Sequence, residues 1–440
     1  MRCGDGHQTR PLTLFVGLGG VVRGRSCLHA REGSWTDMAD PQRPPSHHQQ
    51  QGKRWNPQHT ALAADQAQAA EAAPQGAATT PAPPAPAPPP PHPPGYRVSP
   101  AEAHIPPNII TAPRMDPYVV QRRWLAGDLP DRRPERAGED PCRLGANETR
   151  NAGMALIDQI ELGASEVMTA PLKGEGMRIL CITYTMESAH GNRIKDLNEA
   201  WGKKCTGWVA SSSVDDPSIP SANIPKKGGE SYNNMWQKLR STWYYVYYHY
   251  LDEFDWFYAG GDDLFVIMEN LRDYLGSPEL QAALKSGRGV NLGHRYDTPF
   301  GATFLSGGPG YILDRAALEM FVLFIGRADC RADSGGASED VFTAQCLKVA
   351  GLNPGGALDT RDALQRERFN PLSHEMHYEY RGGDWYETYH KHQLQRREMC
   401  CSPEAIAFHY MYARGVNLMS GVYDYLFHCP GAGIHKGSDS

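Results

Sequence analysis

The chain has 440 residues, with 44 Lys and Arg against 50 Asp and Glu, and its formal net charge is −6 at pH 7. It has no basic excess and no long basic run, so nucleic acid is a poor partner for it. A first stretch rich in Pro, Gln and Ala precedes one rich in Trp and Tyr, which predicts a disordered part followed by one large or two small domains.

Residues 1–40 contain one short apolar run. It extends from Leu12 to Val22, with Arg10 before it and Arg23 after it. Spanning a bilayer takes about 20 apolar residues, so the run is short for a membrane anchor. It fits the apolar core of a signal sequence, and the alternative is that this form of the N-terminus lacks the true anchor.

Residues 41–100 are dominated by Gln, Ala and Pro and include the proline run from Pro88 to Pro94. Such a composition cannot bury a core and favours extended polyproline conformations. We interpret this part as a disordered stem or linker, and a tail without a role is the alternative. The folded domain is expected over residues 144–430.

Ten cysteines are present, and eight lie in the part expected to fold: Cys142, Cys181, Cys205, Cys330, Cys346, Cys400, Cys401 and Cys429. No CxxC pair occurs among them, which argues against a zinc ribbon or a thioredoxin-type site. Their even number and wide spacing suit disulfides in an oxidising compartment, and buried free thiols are the alternative. The glycosylation sequon at Asn147 fits that compartment, although so short a pattern also occurs by chance.

The first ordered elements are predicted from Arg178 onward. Arg178 to Thr185 is a β-rich apolar run, which predicts a buried strand. Asn192 to Trp201 has apolar residues at helical spacing, and Gly207 to Ala210 predicts a second strand. Together these segments predict the βαβ beginning of an α/β sheet.

An acidic turn follows the next helix and strand. Apolar spacing over Ser231 to Phe254 indicates a long amphipathic helix, and Asp255 to Tyr258 indicates a strand. That strand enters Gly260 to Asp263 and resumes at Leu264 to Ile267. Ligands of α/β proteins bind just beyond the carboxyl ends of strands, so this turn is the first candidate position for a site.

The remaining predicted elements are shorter. A strand is expected at Val290 to Gly293 and a glycine-punctuated hairpin at Ser306 to Tyr311. Helices are expected near Arg315 to Ile325 and Glu339 to Ala350. The rest of the chain is loop-rich and aromatic.

Three groups of polar side chains could carry chemistry. The first is Asp262 with Asp263, which follow two flexible glycines at a strand end. A divalent metal bound by these carboxylates could stabilise the diphosphate of a nucleotide-sugar as it leaves. An ordinary turn is the alternative.

The second group is Glu339 with Asp340, adjacent carboxylates that open a predicted helix. Acids stabilise helix N-termini, so a capping role is the alternative to a base that takes a proton from a hydroxyl. The third group is His409, which lies between Phe408 and Tyr410 in an apolar segment. A metal ligand and a buried core histidine both fit this position.

Six motifs agree in order and spacing with a known family: Arg178-Ile179-Leu180-Cys181, Ala200-Trp201-Gly202-Lys203-Lys204-Cys205, Asp255-Trp256-Phe257 through Asp262-Asp263 to Asn270-Leu271, Ser306-Gly307-Gly308-Pro309-Gly310-Tyr311, Glu339-Asp340, and Cys400-Cys401-Ser402 with Phe408-His409-Tyr410. On these motifs, the region from Arg178 to about Met411 resembles the core 1 β1,3-galactosyltransferases of the fringe-like β1,3-glycosyltransferase superfamily. The resemblance implies an α/β fold of the Rossmann-like GT-A type.

The same resemblance implies an inverting enzyme that uses Mn²⁺. Its donor would be UDP-galactose, and its acceptor the 3-hydroxyl of O-linked N-acetylgalactosamine on a glycoprotein. Asp263 and His409 would bind the metal, with Asp262 beside them at the metal and the nucleotide. Asp340 would be the catalytic base on the acceptor hydroxyl.

Further contacts follow from the family pattern. Lys238 matches a family lysine near the diphosphate, and the alternative is a solvated helix charge. Thr185, at the end of the first strand, would touch the nucleotide. Glu339, Trp385 and Tyr386 would contact the acceptor, the two aromatic residues by stacking on its sugar.

One position departs from the pattern, because Gly261 replaces the first acid of the family's Asp-Asp-Asp motif. Two carboxylates and an imidazole can still hold a hard cation with diphosphate oxygens, which favours activity. The alternatives are another UDP-sugar β1,3-glycosyltransferase of the superfamily or a non-catalytic, chaperone-like relative.

The resemblance also implies a lumenal Golgi or endoplasmic reticulum protein with a type II membrane anchor at its N-terminus, and it allows a homodimer. By analogy, Cys181 pairs with Cys205 and Cys330 with Cys346, while Cys400 or Cys401 pairs with another late cysteine.

Overall fold

The computed structural model describes residues 98–129, 176–352, 358–396, 400–402 and 404–412. Within these ranges, no helix has the length and apolar character needed to cross a membrane. The predictions for Leu12 to Val22, for residues 41–97 of the stem, and for Asn147, Cys142 and Cys429 lie outside the described residues.

The described strands are β1 (Ile179–Tyr184), β2 (Gly207–Ser212), β3 (Ser221–Asn223), β4 (Trp256–Gly261), β5 (Phe265–Val266), β6 (Asn291–Gly293), β7 (Arg295–Asp297), β8 (Thr303–Leu305), β9 (Tyr311–Asp314), β10 (Phe369–Asn370) and β11 (Ala407–Phe408). Six of them form a sheet in the order β3-β2-β1-β4-β9-β6. A small sheet has the order β10-β11-β5, and β7 pairs with β8.

The described α-helices are α1 (Pro107–Ile110), α2 (Val119–Leu125), α3 (Lys195–Ala200), α4 (Met235–Tyr250), α5 (Met268–Leu275), α6 (Pro278–Leu284), α7 (Arg315–Phe324), α8 (Glu339–Val349), α9 (His374–Glu379) and α10 (Trp385–Thr388). Single turns of other helix types precede α3 at His190–Ile194 and α4 at Tyr232–Asn234. The fold is therefore a mixed α/β fold, as the sequence predicted.

The βαβ beginning is confirmed, because β1 pairs in parallel with β2 after α3. β1 also pairs in parallel with β4, so it lies between two strands that run the same way. β9 is antiparallel to both of its neighbours, β4 and β6. β3 in turn pairs in parallel with β2. The parallel strands β1, β2 and β4 therefore end together at one edge of the sheet.

The hairpin predicted over Ser306 to Tyr311 is wrong. β8, which ends at Leu305, pairs with β7, whereas β9, which begins at Tyr311, pairs with β4 and β6. The glycines between them therefore connect two sheets. Gly310 has φ +74° and its Cα lies against Tyr258, where a Cβ would come within 2.6 Å of the ring. The glycines allow the backbone to pass close to Tyr258 here. In sequence, such a glycine-rich connection looks like a hairpin turn.

Alternate residues of β1 point to opposite faces of the sheet. Leu180 and Ile182 are buried in a cluster that includes residues of α4 and α7. Ile179 and Cys181 are buried in a second cluster that includes residues of α3 and α5. Helices therefore cover both faces, which parallel strands require because neither of their faces is suited to water.

A segment that the sequence did not single out, residues 98–129, packs against the same body. Tyr247 of α4 donates a hydrogen bond to the carbonyl of Val98 at 2.8 Å, and Tyr245 donates one to the carbonyl of Pro113 at 2.7 Å. The amide of Trp208 in β2 donates to the carbonyl of Pro117 at 2.7 Å. The tyrosines of α4 thus satisfy backbone groups of this segment as well as filling the core.

Both disulfides inferred by analogy are present, Cys181–Cys205 and Cys330–Cys346. Cys181–Cys205 joins β1 to the residues just before β2, and Cys330–Cys346 joins the loop after α7 to α8. Cys400 is bonded to Cys401 and not to another late cysteine. All six cysteines are buried.

Candidate active site

The candidate site lies where β1 and β4 end. Tyr184, the last residue of β1, is in register with Gly261, the last residue of β4. The next residues, Thr185 on one side and Asp262 and Asp263 on the other, therefore leave the sheet side by side. This is the edge at which α/β sheets bind ligands.

Asp263 and His409 meet at this edge. β11 pairs with β5, which follows the acidic turn, so His409 is brought back to it directly after Phe408. The His409 Nε2 atom lies 3.4 Å from Asp263 Oδ1. Burial raises the pKa of Asp263, but the nearby His409 and Arg193 outweigh that effect and leave its pKa below the usual value.

The His409 ring is oriented by a backbone carbonyl. Its Nδ1 lies 3.1 Å from the carbonyl oxygen of Pro371. A carbonyl only accepts hydrogen bonds, so Nδ1 carries a proton and Nε2 is the ring nitrogen directed at Asp263. This is the arrangement in which histidine ligates a metal.

These two side chains fit a divalent cation. Two ligand atoms about 2.1 Å from one ion and at right angles to each other lie about 3 Å apart, close to the observed separation. The backbone of Tyr410, at φ +54°, holds a non-glycine residue in the left-handed region next to His409. Such conformations persist where the surrounding structure requires them, often at functional sites.

Asp262 has different partners. Its Oδ2 accepts a hydrogen bond from Thr185 Oγ1 at 2.7 Å, and its Oδ1 pairs with Arg193 Nη1 at 2.7 Å. Arg193 also lies over the ring of Tyr412, 5.3 Å from its centroid. The structure therefore brings the predicted Thr185 and Asp262 together, with both carboxylate oxygens already engaged.

Lys238 is buried and is not a solvated helix charge. Its side chain is 4 % exposed, and its Nζ pairs with Glu230 Oε1 at 2.7 Å. It also donates a hydrogen bond to the carbonyl of Thr185. Burial lowers the pKa of Lys238, while Glu230 partly offsets that effect. Lys238 thus lies under the end of β1, beside the predicted nucleotide contacts.

Glu339 and Asp340 open α8 and are both buried. Glu339 accepts hydrogen bonds from Tyr184 at 3.2 Å and Tyr311 at 3.3 Å. Burial, reinforced by the charge of Asp340, raises the pKa of Glu339 to about 8. Burial also raises the pKa of Asp340, although the amides of Gly307 and Val341 donate to its carboxylate.

The backbone at Gly307 and Gly308 passes between Glu339 and His409. A Cβ at Gly307 would lie 2.4 Å from Glu339 Oε1, and one at Gly308 would lie 2.5 Å from His409 Nδ1. The two adjacent glycines therefore touch Glu339 and His409, respectively. Only residues without a side chain allow this approach.

Gly261 also lies against this group. A Cβ there would come within 3.0 Å of Asp263 Oδ1 and 3.5 Å of the Tyr184 ring. The first position of the family's acidic motif therefore points at Asp263, and the space beside it is partly filled by Tyr184.

The predicted acceptor residues Trp385 and Tyr386 form the start of α10. Tyr386 is only 2 % exposed and packs among other rings, including that of His294. Trp385 is half-buried and packs on Tyr296 at 5.9 Å between centroids. Tyr296 packs in turn on Phe304 of β8, close to the glycine segment. Of the two, Trp385 is therefore the one with surface available for a sugar.

Sequence reasoning missed Tyr184, Arg193 and Glu230. Arg193 lies in a segment whose pattern indicates only a helix, and nothing in the sequence pairs it with Asp262. Glu230 precedes the long helix at a position that looks like a solvated loop. Tyr184 reads as a strand residue, although its hydroxyl reaches Glu339.

No protein-family model matches the chain. It is 28 % identical over 239 residues to glycoprotein-N-acetylgalactosamine 3-beta-galactosyltransferase 1 of Xenopus laevis, which covers 53 % of this chain and 63 % of that protein. It is 25 % identical over 194 residues to chondroitin sulfate synthase 3 of Mus musculus, covering 41 % of this chain and 22 % of the relative. Against chondroitin sulfate synthase 3 of Homo sapiens it is 30 % identical over 112 residues, which is 24 % of this chain and 12 % of the relative.

The chain thus spans less than two thirds of the length of each of these relatives. The galactosyltransferase match nevertheless extends over more than half of this chain. It agrees with the resemblance drawn from the six motifs. The chain is a relative of the core 1 β1,3-galactosyltransferases.

Proposed function

We propose that this chain is an inverting, metal-dependent β1,3-glycosyltransferase of the GT-A type. It transfers galactose from UDP-galactose to the 3-hydroxyl of an O-linked N-acetylgalactosamine on a glycoprotein. The observation that carries the proposal is the Gly307-Gly308 pair, which holds Glu339 on one side and His409 on the other. The Asp263–His409 pair and the buried Glu339–Asp340 pair therefore lie next to each other, and the place between them is the proposed substrate cleft.

The nucleotide side of this cleft is formed by the ends of β1 and β4. Asp263 and His409 would hold Mn²⁺, and a divalent ion there would supply positive charge to stabilise the leaving diphosphate. Arg193 and Lys238 supply further positive charge, at 2.7 Å from Asp262 and next to Thr185, respectively. Because Lys238 is buried, its contact with the carbonyl of Thr185 fixes the end of β1 where the nucleotide binds.

Asp340 is the base on the acceptor side. Its carboxylate takes the proton of the acceptor 3-hydroxyl, whose oxygen attacks the anomeric carbon as the bond to UDP breaks. Amide donors from Gly307 and Val341 fix its orientation at 3.1 and 2.9 Å. A raised pKa makes Asp340 a stronger base than an exposed aspartate. Glu339, whose pKa is raised to about 8, holds its proton more tightly than an ordinary glutamate, which favours placing the negative charge of the pair on Asp340.

The choice of sugars rests on the galactosyltransferase relative, whose name states N-acetylgalactosamine and galactose. Trp385, half-buried beside Tyr296, is the acceptor-side aromatic in this proposal. The buried disulfides Cys181–Cys205 and Cys330–Cys346 support an oxidising compartment, the lumen of the Golgi or endoplasmic reticulum. Type II anchoring and dimerisation remain proposals from the same resemblance.

One observation favours a second candidate, a non-catalytic relative. Gly261 removes the first acid of the family motif, and Tyr184 lies 3.5 Å from the Cβ that an acid would place there. In this candidate the fold keeps its nucleotide cleft but performs no transfer. Turnover decides between the two.

The test is release of UDP by the full chain with Mn²⁺, UDP-galactose and an N-acetylgalactosamine-α-peptide. Asp263→Asn and Asp340→Asn test the two halves of the cleft, and Asp273→Asn, on the surface-facing side of α5, is the matched control. We expect metal-dependent turnover that both cleft variants lose and the control keeps. A panel of UDP-sugars without turnover, in a chain that binds UDP with Mn²⁺, would establish the non-catalytic candidate instead.

A further inference from the structure

A second group of potential metal ligands lies outside the cleft. Ligand atoms of His294, Glu367 and His390 all lie within 4.8 Å of one another. His294 connects β6 to β7, Glu367 precedes β10, and His390 follows α10. None of these residues has a role in the proposed transfer, so the transfer does not account for their close approach.

The two histidine rings face each other through the same kind of atom. His294 Nε2 lies 2.8 Å from His390 Nε2. The Nδ1 atom of His294 lies 2.9 Å from the carbonyl oxygen of Phe369. The Nδ1 atom of His390 lies 2.6 Å from the carbonyl oxygen of Tyr386. A carbonyl oxygen can only accept a hydrogen bond. Each Nδ1 therefore carries its proton.

With both Nδ1 atoms protonated, two neutral rings would point lone pairs at each other across 2.8 Å. Such a contact is repulsive, so a positive charge must lie between the Nε2 atoms. Either a further proton or a metal cation can supply it. Glu367 Oε2 lies 3.2 Å from His294 Nδ1, the other nitrogen of that ring, and its carboxylate balances that charge.

We propose that this cluster binds one Zn²⁺ ion through Nε2 of His294, Nε2 of His390 and a carboxylate oxygen of Glu367. Two imidazoles and one carboxylate form a ligand set that zinc commonly takes, and it differs from the harder set at Asp263. Around an ion of this kind, neighbouring ligand atoms lie about 3.4 Å apart, so the rings need to separate by only a fraction of an ångström. The Glu367 carboxylate also needs to turn from His294 Nδ1 towards the two Nε2 atoms.

The surroundings suit such a site. The carbonyls of Phe369 and Tyr386 fix the tautomer and orientation of both rings, as partners of metal-bound histidines do. His392 Nε2 lies 3.0 Å from Glu367 Oε1 and orients the carboxylate. Glu367 and His392 also line a cavity of about 290 Å³, which provides an entry path and room for a water as fourth ligand.

The ion would join distant parts of the chain. His294 is fully buried at the end of the main sheet, whereas Glu367 and His390 belong to the loop-rich residues 358–396. Binding all three would fix that segment, including α10, against the sheet. Because the site is structural, it holds whether or not the proposed transfer is correct.

The test measures zinc in the purified full chain by mass spectrometry after dialysis against zinc-free buffer. Variants His390→Gln and Glu367→Gln remove ligands, His249→Gln removes a half-buried histidine outside the cluster, and Asp263→Asn removes a cleft ligand. We expect about one zinc per chain in the parent, His249→Gln and Asp263→Asn, and less than about a tenth of that in the ligand variants. Stripping the parent of zinc should lower its Tm, and zinc should restore it.

If the ligand variants fail to fold, Co²⁺ added to the stripped parent chain gives an independent readout. A site with nitrogen and oxygen ligands produces visible absorption bands of tetrahedral or five-coordinate Co²⁺, which zinc then displaces. A parent chain that retains no zinc, shows no change of Tm with zinc and no such bands overturns the proposal. The His294–His390 contact would then hold a proton.

Discussion

His409 presents its Nε2 atom to Asp263 at 3.4 Å while its Nδ1 faces the carbonyl of Pro371. β11 and β4 bring the two residues together from distant parts of the chain. The imidazole is therefore held in the tautomer and direction that a metal ligand needs before any ion arrives.

Gly308→Ala should displace the His409 ring, since the added Cβ would lie 2.5 Å from Nδ1. We expect Mn²⁺-dependent binding of UDP to weaken by about tenfold or more, the range seen when the orientation of a metal ligand is disturbed. Isothermal titration calorimetry measures this. Gly229→Ala is the control, because a Cβ at Gly229 meets nothing within 4 Å. Equal affinities in both variants would show that the position of His409 does not matter for binding.

Lys238→Met should destabilise the protein by about 1–3 kcal/mol, because it removes one of the two lysines that pair with the partly buried Glu230 and leaves only Lys226. The double variant Lys238→Met, Glu230→Gln removes both charges but also takes the carboxylate from Lys226, so it should recover only part of the free energy of unfolding, measured in urea. UDP affinity should stay low in both variants if the ammonium acts on the diphosphate. Recovery of affinity in the double variant would assign Lys238 a structural role only.

The sequence could predict β1 and β4, but it could not predict that Lys238 is buried under the end of β1. Apolar runs predicted β1 and β4 because strands buried on both faces are apolar throughout. A lysine on a long helix, in contrast, looks the same whether its ammonium is solvated or turned under a neighbouring strand. Glu230, its partner at 2.7 Å, lies in an unpatterned loop before the helix.

Glu339→Gln should remove a pH dependence of stability. Burial and the charge of Asp340 raise the pKa of Glu339 in the folded state to about 8, well above its ordinary value of 4.5. The folded state therefore binds the proton more tightly, so this contribution to stability is complete below about pH 4.5 and is lost as the pH rises through about 8.

The free energy of unfolding of the parent chain, measured in urea at pH 5 and pH 8, should fall more between these values than that of Glu339→Gln. The control is Glu279→Gln, which alters an exposed carboxylate at the start of α6. If all three proteins show the same fall, Glu339 ionises normally and does not leave Asp340 as the charged member of the pair.

Gly261→Asp restores the first acid of the family motif. Because its Cβ would lie 3.0 Å from Asp263 Oδ1, the new carboxylate should destabilise the metal-free protein by about 1–3 kcal/mol through crowding and like-charge repulsion. Mn²⁺ should offset part of this cost, so the ion should raise the Tm of the variant more than that of the parent. A variant as stable as the parent without metal would contradict the close approach.

The site itself was predictable only as separate motifs. The sequence provided Asp262 and Asp263, Glu339 and Asp340, and His409, and the family pattern suggested that they act together. The contacts between these side chains depend on long-range packing of the chain, which no local sequence pattern predicts. The glycines 307 and 308 look like a hairpin in sequence, yet they connect two sheets and separate Glu339 from His409.

Aromatic residues were the least predictable part. Trp385 and Tyr386 are adjacent in sequence and both suit a sugar contact, but adjacent helical residues point in different directions. Tyr386 points into the core and Trp385 stays half-buried at its edge. Likewise His294, Glu367 and His390 carry no spacing signal, because three separate segments bring them together.

In the proposed mechanism, Asp263 and His409 bind one cation for the nucleotide, whereas Asp340 acts only on the acceptor. Calorimetric titration of UDP into the full chain, with and without Mn²⁺, tests it most directly. We expect Mn²⁺ to strengthen UDP binding in the parent and in Asp340→Asn, and to have little effect in Asp263→Asn and His409→Ala. Undiminished Mn²⁺-dependent binding in the last two variants would contradict the claim.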